Sequence, residues 1–320
     1  MSKQLIEYYL KRKSLYIIII TLIFLTIGLY AETEIYYKTD FDRGDVITVL
    51  ITGSDELYTL ELVNSSNQYI TGNIFFPLYT IYFNGQAALI GIDSTMNAGK
   101  YRLLIKNGDG GIESTGEILV HENIFKKENI PLNYANTSLR TDPDPKITLE
   151  AVEIHEIYGT SELLSVRGIK PFNIPVDNGI ITSRYGDRRK FLYSNGDSSG
   201  SIHTGVDIAA PFGSGIIAGS PGRVVFAGKR IITGNSIVIE YLPGVYGVFF
   251  HMNEVFVDLG DTVTEDTEIG TLGSSGLATG PHLHWELRVG GTPVDPYPLL
   301  ENGLIDNSLI MSIVSSHTAE

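Results

Sequence analysis

The chain reads as a mostly β protein, with an N-terminal Ig-like β-sandwich, a short helical connector and a C-terminal β-sheet domain. Three observations predict this. Hydrophobic residues make up 43% of the 320 positions, enough for a sizeable core. The 34 glycines and 18 tyrosines favour turn-rich strands over a helical bundle. Short runs of β-branched and aromatic residues also recur between turn signals. At this length, two domains plus a leader are expected.

Residues 1–31 form the leader. Lys11, Arg12 and Lys13 precede an uncharged apolar run from Leu15 to Ala31, which reads as a secretory signal peptide or, if retained, a signal anchor. With positive charge on the N-terminal flank, the rest of the chain is expected outside the cytoplasm, in the cell envelope on the periplasmic or extracytoplasmic side. A membrane partner is expected only if the leader is retained. Residues 32–120 carry the runs VITVLI, LYTLELV, AALIGI and KYRLLI between turns such as Asn84-Gly85 and Asn107-Gly108, the spacing of a sandwich. Residues 121–170 are more charged and form the connector, with a short amphipathic helix beginning near Asp144. Residues 171–300 are again β-rich, with GIITSRYG, GRVVFAG, NSIVIEY and GVYGVFFHM as strands. The tail, 301–320, shows no evident role.

The net charge of −14 and the scatter of basic residues argue against nucleic acid. The chain has no cysteine, so thiolate ligands and disulfides are excluded. The chemistry lies in the histidines. His282 and His284 stand at i and i+2, on one face of a strand. His203 and Asp207 are four apart, an even spacing that puts them on one strand face as well. These four candidates serve three ligand places, and a metal site with three protein ligands and an open position is catalytic. His251 is a fifth candidate, on a separate apolar run. Trp285 and Glu286 are expected to point away from the metal, Trp285 into the core and Glu286 in support of the ligands.

From about Ile181 to Pro296 the chain resembles the lysostaphin/LytM-type zinc endopeptidases. The resemblance rests on SRYGDRR, HTGVDIAAPFGSGIIA, GRVVFAG, GNSIVIEY, FFHM, GSSGLATGPHLHWEL and GGTPVDP, in that order. The sandwich and connector are similar to a region that precedes such peptidases in envelope proteins. The resemblance implies a LytM-type peptidase domain that hydrolyses peptide bonds of peptidoglycan stems or cross-links. It also implies one zinc ion per chain held by His203, Asp207 and His284, with His251 and His282 acting on the proton and the transition state. Which of the two is the base stays open. Phe249 stands where the family carries a tyrosine, so no hydroxyl acts there. Tyr193, Asn235 and Arg184 are candidate substrate contacts. The alternative is a catalytically silent relative that binds wall or activates another hydrolase. The relatives that take this role usually lack a metal ligand, and none is missing here.

Overall fold

A computed structural model describes residues 33–162 and 169–317; the leader expected at 1–31 lies outside them. Among the described residues, no helix is long and apolar enough to cross a membrane. The N-terminal strands form two sheets. One runs in the order Glu34–Tyr37, Val46–Thr52, Asn84–Gly91, Phe76–Tyr79, and the other in the order Asp40–Phe41, Ile112–Val120, Gly99–Lys106, Thr59–Asn64, Tyr69–Ile74. Ile47, Val49, Ile51, Ala88 and Ile90 point between the sheets, against Leu60, Leu62, Leu103 and Ile105.

The intervening residues of the same strands face the other way. Leu50, Ala87 and Leu89 join Phe76 and Leu78 in a second core, shared with Val294, Leu299, Leu304 and Ile305 of the C-terminal part. The four-stranded sheet is therefore buried on both faces, which is why VITVLI and AALIGI are continuous apolar runs rather than alternating ones. The tail belongs to this shared core. Its helix, Asn307–His317, contributes Leu309, Ile310 and Ile313, and Asp306 pairs with Lys38 of the sandwich region. Expected to have no role, the tail instead closes the joint between sandwich and sheet.

The connector holds the helix expected near Asp144. It spans Pro145–Tyr158, with Asp144 accepting from the Lys146 amide and proline at the first position, an arrangement that satisfies a free donor at the helix start. The connector also holds a helix, Tyr134–Thr141, and a strand, Lys127–Pro131, that the sequence pattern does not reveal. The strand pairs in parallel with Arg188–Leu192, placing Glu128 opposite Arg189.

The main C-terminal sheet runs Ile180–Ser183, Val206–Ala209, Leu283–Val289, Val245–Met252, Gly234–Leu242, Gly222–Arg230, Thr262–Val263, with Thr292–Val294 on the 283–289 strand. Trp285 anchors its core. It is 1% exposed and packs against Phe172. Trp285→Ala removes the largest buried ring of this sheet and is expected to cost about 3–5 kcal/mol of stability, read as a lower urea midpoint with an unchanged slope.

Candidate active site

Strand pairing builds the first part of the site. Asp207 and His284 are direct antiparallel partners, as are His284 and Phe250 on the other side. Directly opposed side chains leave a sheet on the same face, so the Asp207 carboxylate meets His284 Nδ1 at 2.8 Å. The Phe250 ring stacks on the imidazole with centroids 5.5 Å apart. His203 arrives differently from the expectation. It lies in the bend before the 206–209 strand rather than on it, because its amide bonds Asp187 O and its carbonyl receives Gly186 N. Its ring nevertheless reaches the same point, with Nε2 3.0 Å from both Asp207 Oδ1 and His284 Nδ1.

These three atoms form a compact triangle, and the three residues are the candidate metal group among the described residues. Edges of 2.8–3.0 Å are close to the roughly 3.3 Å edge of a tetrahedron with bonds of about 2.0 Å. The residues fit a tetrahedral metal. Each imidazole is also oriented from behind, as ligating histidines require. His203 Nδ1 donates to the carbonyl of Arg184 at 2.8 Å, and His284 Nε2 donates to Glu286 Oε1 at 2.9 Å. Glu286 thus shares the face of His284, from which it stands at i+2, and does not point away. It bonds His284 from behind, and its direction differs from the expectation. Arg288 Nε, 2.6 Å from Glu286 Oε2, balances its charge. Trp285 alone takes the opposite face.

Burial of this cluster makes its charges interdependent. Burial opposes a charge on His284, but hydrogen bonds to Asp207 and Glu286 outweigh it and raise the imidazole to about 9. Burial likewise opposes the Asp207 carboxylate, yet the bonds from His203 and His284 hold it far below the usual range. Without a metal, His284 is therefore protonated at pH 7, and a ligating imidazole must lose that proton. Zinc binding at pH 7 is expected to release about one proton, measured by titration calorimetry in buffers of different ionisation enthalpy. The sign for stability follows. A folded value of about 9, above the unperturbed value of about 6.5, gives stability that is full below 6.5 and lost as pH rises to 9. The melting temperature of the metal-free protein should fall over that window.

His251 and His282 stand beside the triangle without joining it. Strand alternation would send His251 to the face opposite Phe250. The alternation breaks there, where pairing with the 234–242 strand shifts register and His251 adopts φ +62°, a left-handed backbone rarely taken by residues other than glycine. Its ring lies 4.9 Å from that of His282 and 6.3 Å from that of His284. Both rings present the same nitrogen. His251 Nδ1 donates to Ser275 O and His282 Nδ1 to Gly280 O, each at 2.8 Å, while His282 Nε2 lies 3.8 Å from Asp207 Oδ1. Burial, then the charges of His282 and His284, push His251 down to about 3, so it is neutral at pH 7. Gly276 serves this loop. At φ +71° a side chain there would meet Gly234 N and Ile232 O at 2.4 Å.

Each of the three candidate substrate contacts has a partner within the chain. Arg184 contributes its carbonyl to His203, while its guanidinium lies over the Tyr297 ring. Asn235 holds the turn, donating to Met252 O and Asn253 O. The Tyr193 hydroxyl bonds Ser199 Oγ at 2.5 Å. Phe249 is fully buried in the core. Two further residues reach the site, Arg189, which pairs with Asp207 Oδ2, and Glu128, which stands behind it. Only the strand pairing of 127–131 with 188–192 brings Glu128 there.

A family model described as Peptidase family M23 matches residues 201–296. The DD-carboxypeptidase/endopeptidase Mpg of Neisseria meningitidis is 39% identical over 95 residues, 30% of this chain and 22% of that protein. The peptidoglycan DD-endopeptidase ShyB of Vibrio cholerae is 33% identical over 125 residues, 38% of this chain and 28% of that protein. The chain thus spans less than a third of the length of these relatives. A Pseudomonas aeruginosa crystal structure named for peptidase M23 shares the fold, with a TM-score of 0.59 at 20% identity, over 81% of this chain and 93% of that one. Residues 201–296, which carry His203, Asp207, His251, His282 and His284, are a peptidase family M23 domain.

Proposed function

We propose that the chain is an exported zinc metalloendopeptidase that hydrolyses peptide bonds in peptidoglycan stems or cross-links. The boundaries proposed are a leader at 1–31, a sandwich at 32–120, a connector at 121–170, the peptidase domain at 171–300 and a tail at 301–320. The observation that carries the reading is the triangle of His203 Nε2, Asp207 Oδ1 and His284 Nδ1 beside His251 and His282, each held through Nδ1 by a backbone carbonyl. Two imidazoles and one carboxylate suit zinc. The names of Mpg and ShyB support the peptidoglycan substrate.

When bound, the metal supplies a Lewis acid for the scissile carbonyl and lowers the pKa of the attacking water. The chain's own residues do the rest. Asp207 contributes negative charge that keeps the ion in place, and Glu286 and the Arg184 carbonyl hold the two ligand rings in their tautomers. His251, neutral and with Nε2 unprotonated, takes the proton of the water and returns it to the leaving amine. His282, whose Nε2 lies 3.8 Å from Asp207 Oδ1, would donate from Nε2 to the oxyanion.

The test is digestion of purified sacculi by the full chain, with zinc or with chelator, followed by mass spectrometry of the released fragments. Zinc-dependent release of peptides cut at one bond type supports the reading. Bound zinc with intact sacculi and intact muropeptides would overturn it.

A further inference from the structure

The metal triangle uses only one oxygen of Asp207. Oδ1 meets His203 and His284, while Oδ2 is paired with the guanidinium of Arg189. A carboxylate so tied offers a single oxygen to the ion, in a fixed orientation. Arg189 is itself anchored. Its Nε lies 3.7 Å from Glu128 Oε2, an ion pair longer than a hydrogen bond, and the two side chains are 14% and 15% exposed. The same Glu128 oxygen accepts from Ser183 Oγ at 2.9 Å, and Ser183 Oγ lies 3.3 Å from His203 Nδ1. Glu128 therefore stands behind two of the three ligands at once. It also balances Arg189, whose charge would otherwise face the cation alone.

Both residues lie outside the 201–296 match, and Glu128 belongs to the connector. The parallel pairing of Lys127–Pro131 with Arg188–Leu192 sets Glu128 level with Arg189. We propose that Arg189 and Glu128 are positioning residues of the metal site, so that the connector strand completes a centre whose ligands all lie in the peptidase domain. The inference rests on the metalloenzyme reading above. Partners of ligating carboxylates and imidazoles typically change metal affinity or activity by about 10–100-fold when lost.

The experiment measures zinc affinity of the metal-free full chain in detergent, by chelator competition, for the wild type, Glu128→Gln, Arg189→Met, Arg189→Lys and the Glu128→Gln/Arg189→Met pair. Circular dichroism verifies the fold. Glu128→Gln is expected to weaken zinc about 10-fold and Arg189→Met about 10–100-fold. Arg189→Lys should fall between the wild type and Arg189→Met, since it keeps the charge without the fork. The double variant should lose less than the product of the two single losses, because Glu128 acts on Asp207 through Arg189 and reaches His203 only through Ser183. Wild-type affinity in both single variants would overturn the proposal, as would losses that multiply in the double variant. If Arg189→Met does not fold, Glu128→Gln and Arg189→Lys carry the same test. A wild type that binds no zinc would overturn the metalloenzyme reading, and this inference with it.

Discussion

Asp207→Ala is expected to leave the protein without zinc and to lower peptide hydrolysis at least about 1,000-fold, the equivalent of about 4 kcal/mol of transition-state stabilisation. The size of the effect follows from the position of Asp207 in the network. Its carboxylate contacts His203, His284 and Arg189 and lies 3.8 Å from His282 Nε2. Removing it takes the negative charge from the ligand set and brings two imidazoles face to face with only Glu286 to balance them. The metal-free variant should also lose much of the elevation of His284, because the Asp207 hydrogen bond is the largest of the effects that raise it. Zinc content after dialysis, hydrolysis rate and the pH dependence of melting read these three consequences separately. Retained stoichiometric zinc would show that Asp207 is not a ligand.

His251→Ala should give the opposite pattern, with zinc retained at one ion per chain and hydrolysis lowered about 100- to 10,000-fold, the usual contribution of a positioned acid or base. The ring is buried but takes no part in the donor triangle. Its Nδ1 is committed to Ser275 O, which leaves Nε2 for proton transfer, and its ring lies 4.9 Å from that of His282. Proteins hold non-glycine residues at positive φ where the surrounding structure compels it, and such positions cluster at functional sites. Bonds between Thr233, Ser275 and the His251 backbone supply that compulsion. Loss of zinc together with activity in His251→Ala would instead make this residue a ligand.

Much of this site was legible in the sequence because it is built on strand alternation. His284 and Asp207 meet as register partners, and their facing follows from a period of two. Glu286 obeys that same period, since i+2 from His284 is the same face. The position of His203 was not legible, because a loop held by Asp187 and Gly186 can deliver a ring that strand geometry does not. His251 escaped alternation through a left-handed residue that composition does not mark. For the fold, apolar runs located the strands of the sandwich and of the main sheet. In VITVLI and AALIGI the missing polar alternation was itself the sign of burial on both faces. The 127–131 strand carries only Ile130 and a proline as apolar residues, so no pattern distinguished it from connector. The partnership of Glu128 with Arg189 depends on which strand it joins, and parallel pairing of distant segments leaves no local signature. The tail helix was hidden for a similar reason. Leu309, Ile310 and Ile313 cover a surface made by other parts of the chain.

If three residues hold the metal and two others work beside it, His282 and His284 should differ most sharply. The measurement is zinc content per chain, by elemental analysis after dialysis, of His282→Ala and His284→Ala side by side. About one zinc is expected in His282→Ala and none in His284→Ala, with both inactive on sacculi. Zinc lost from both variants, or retained in His284→Ala and lost from His282→Ala, would contradict this assignment.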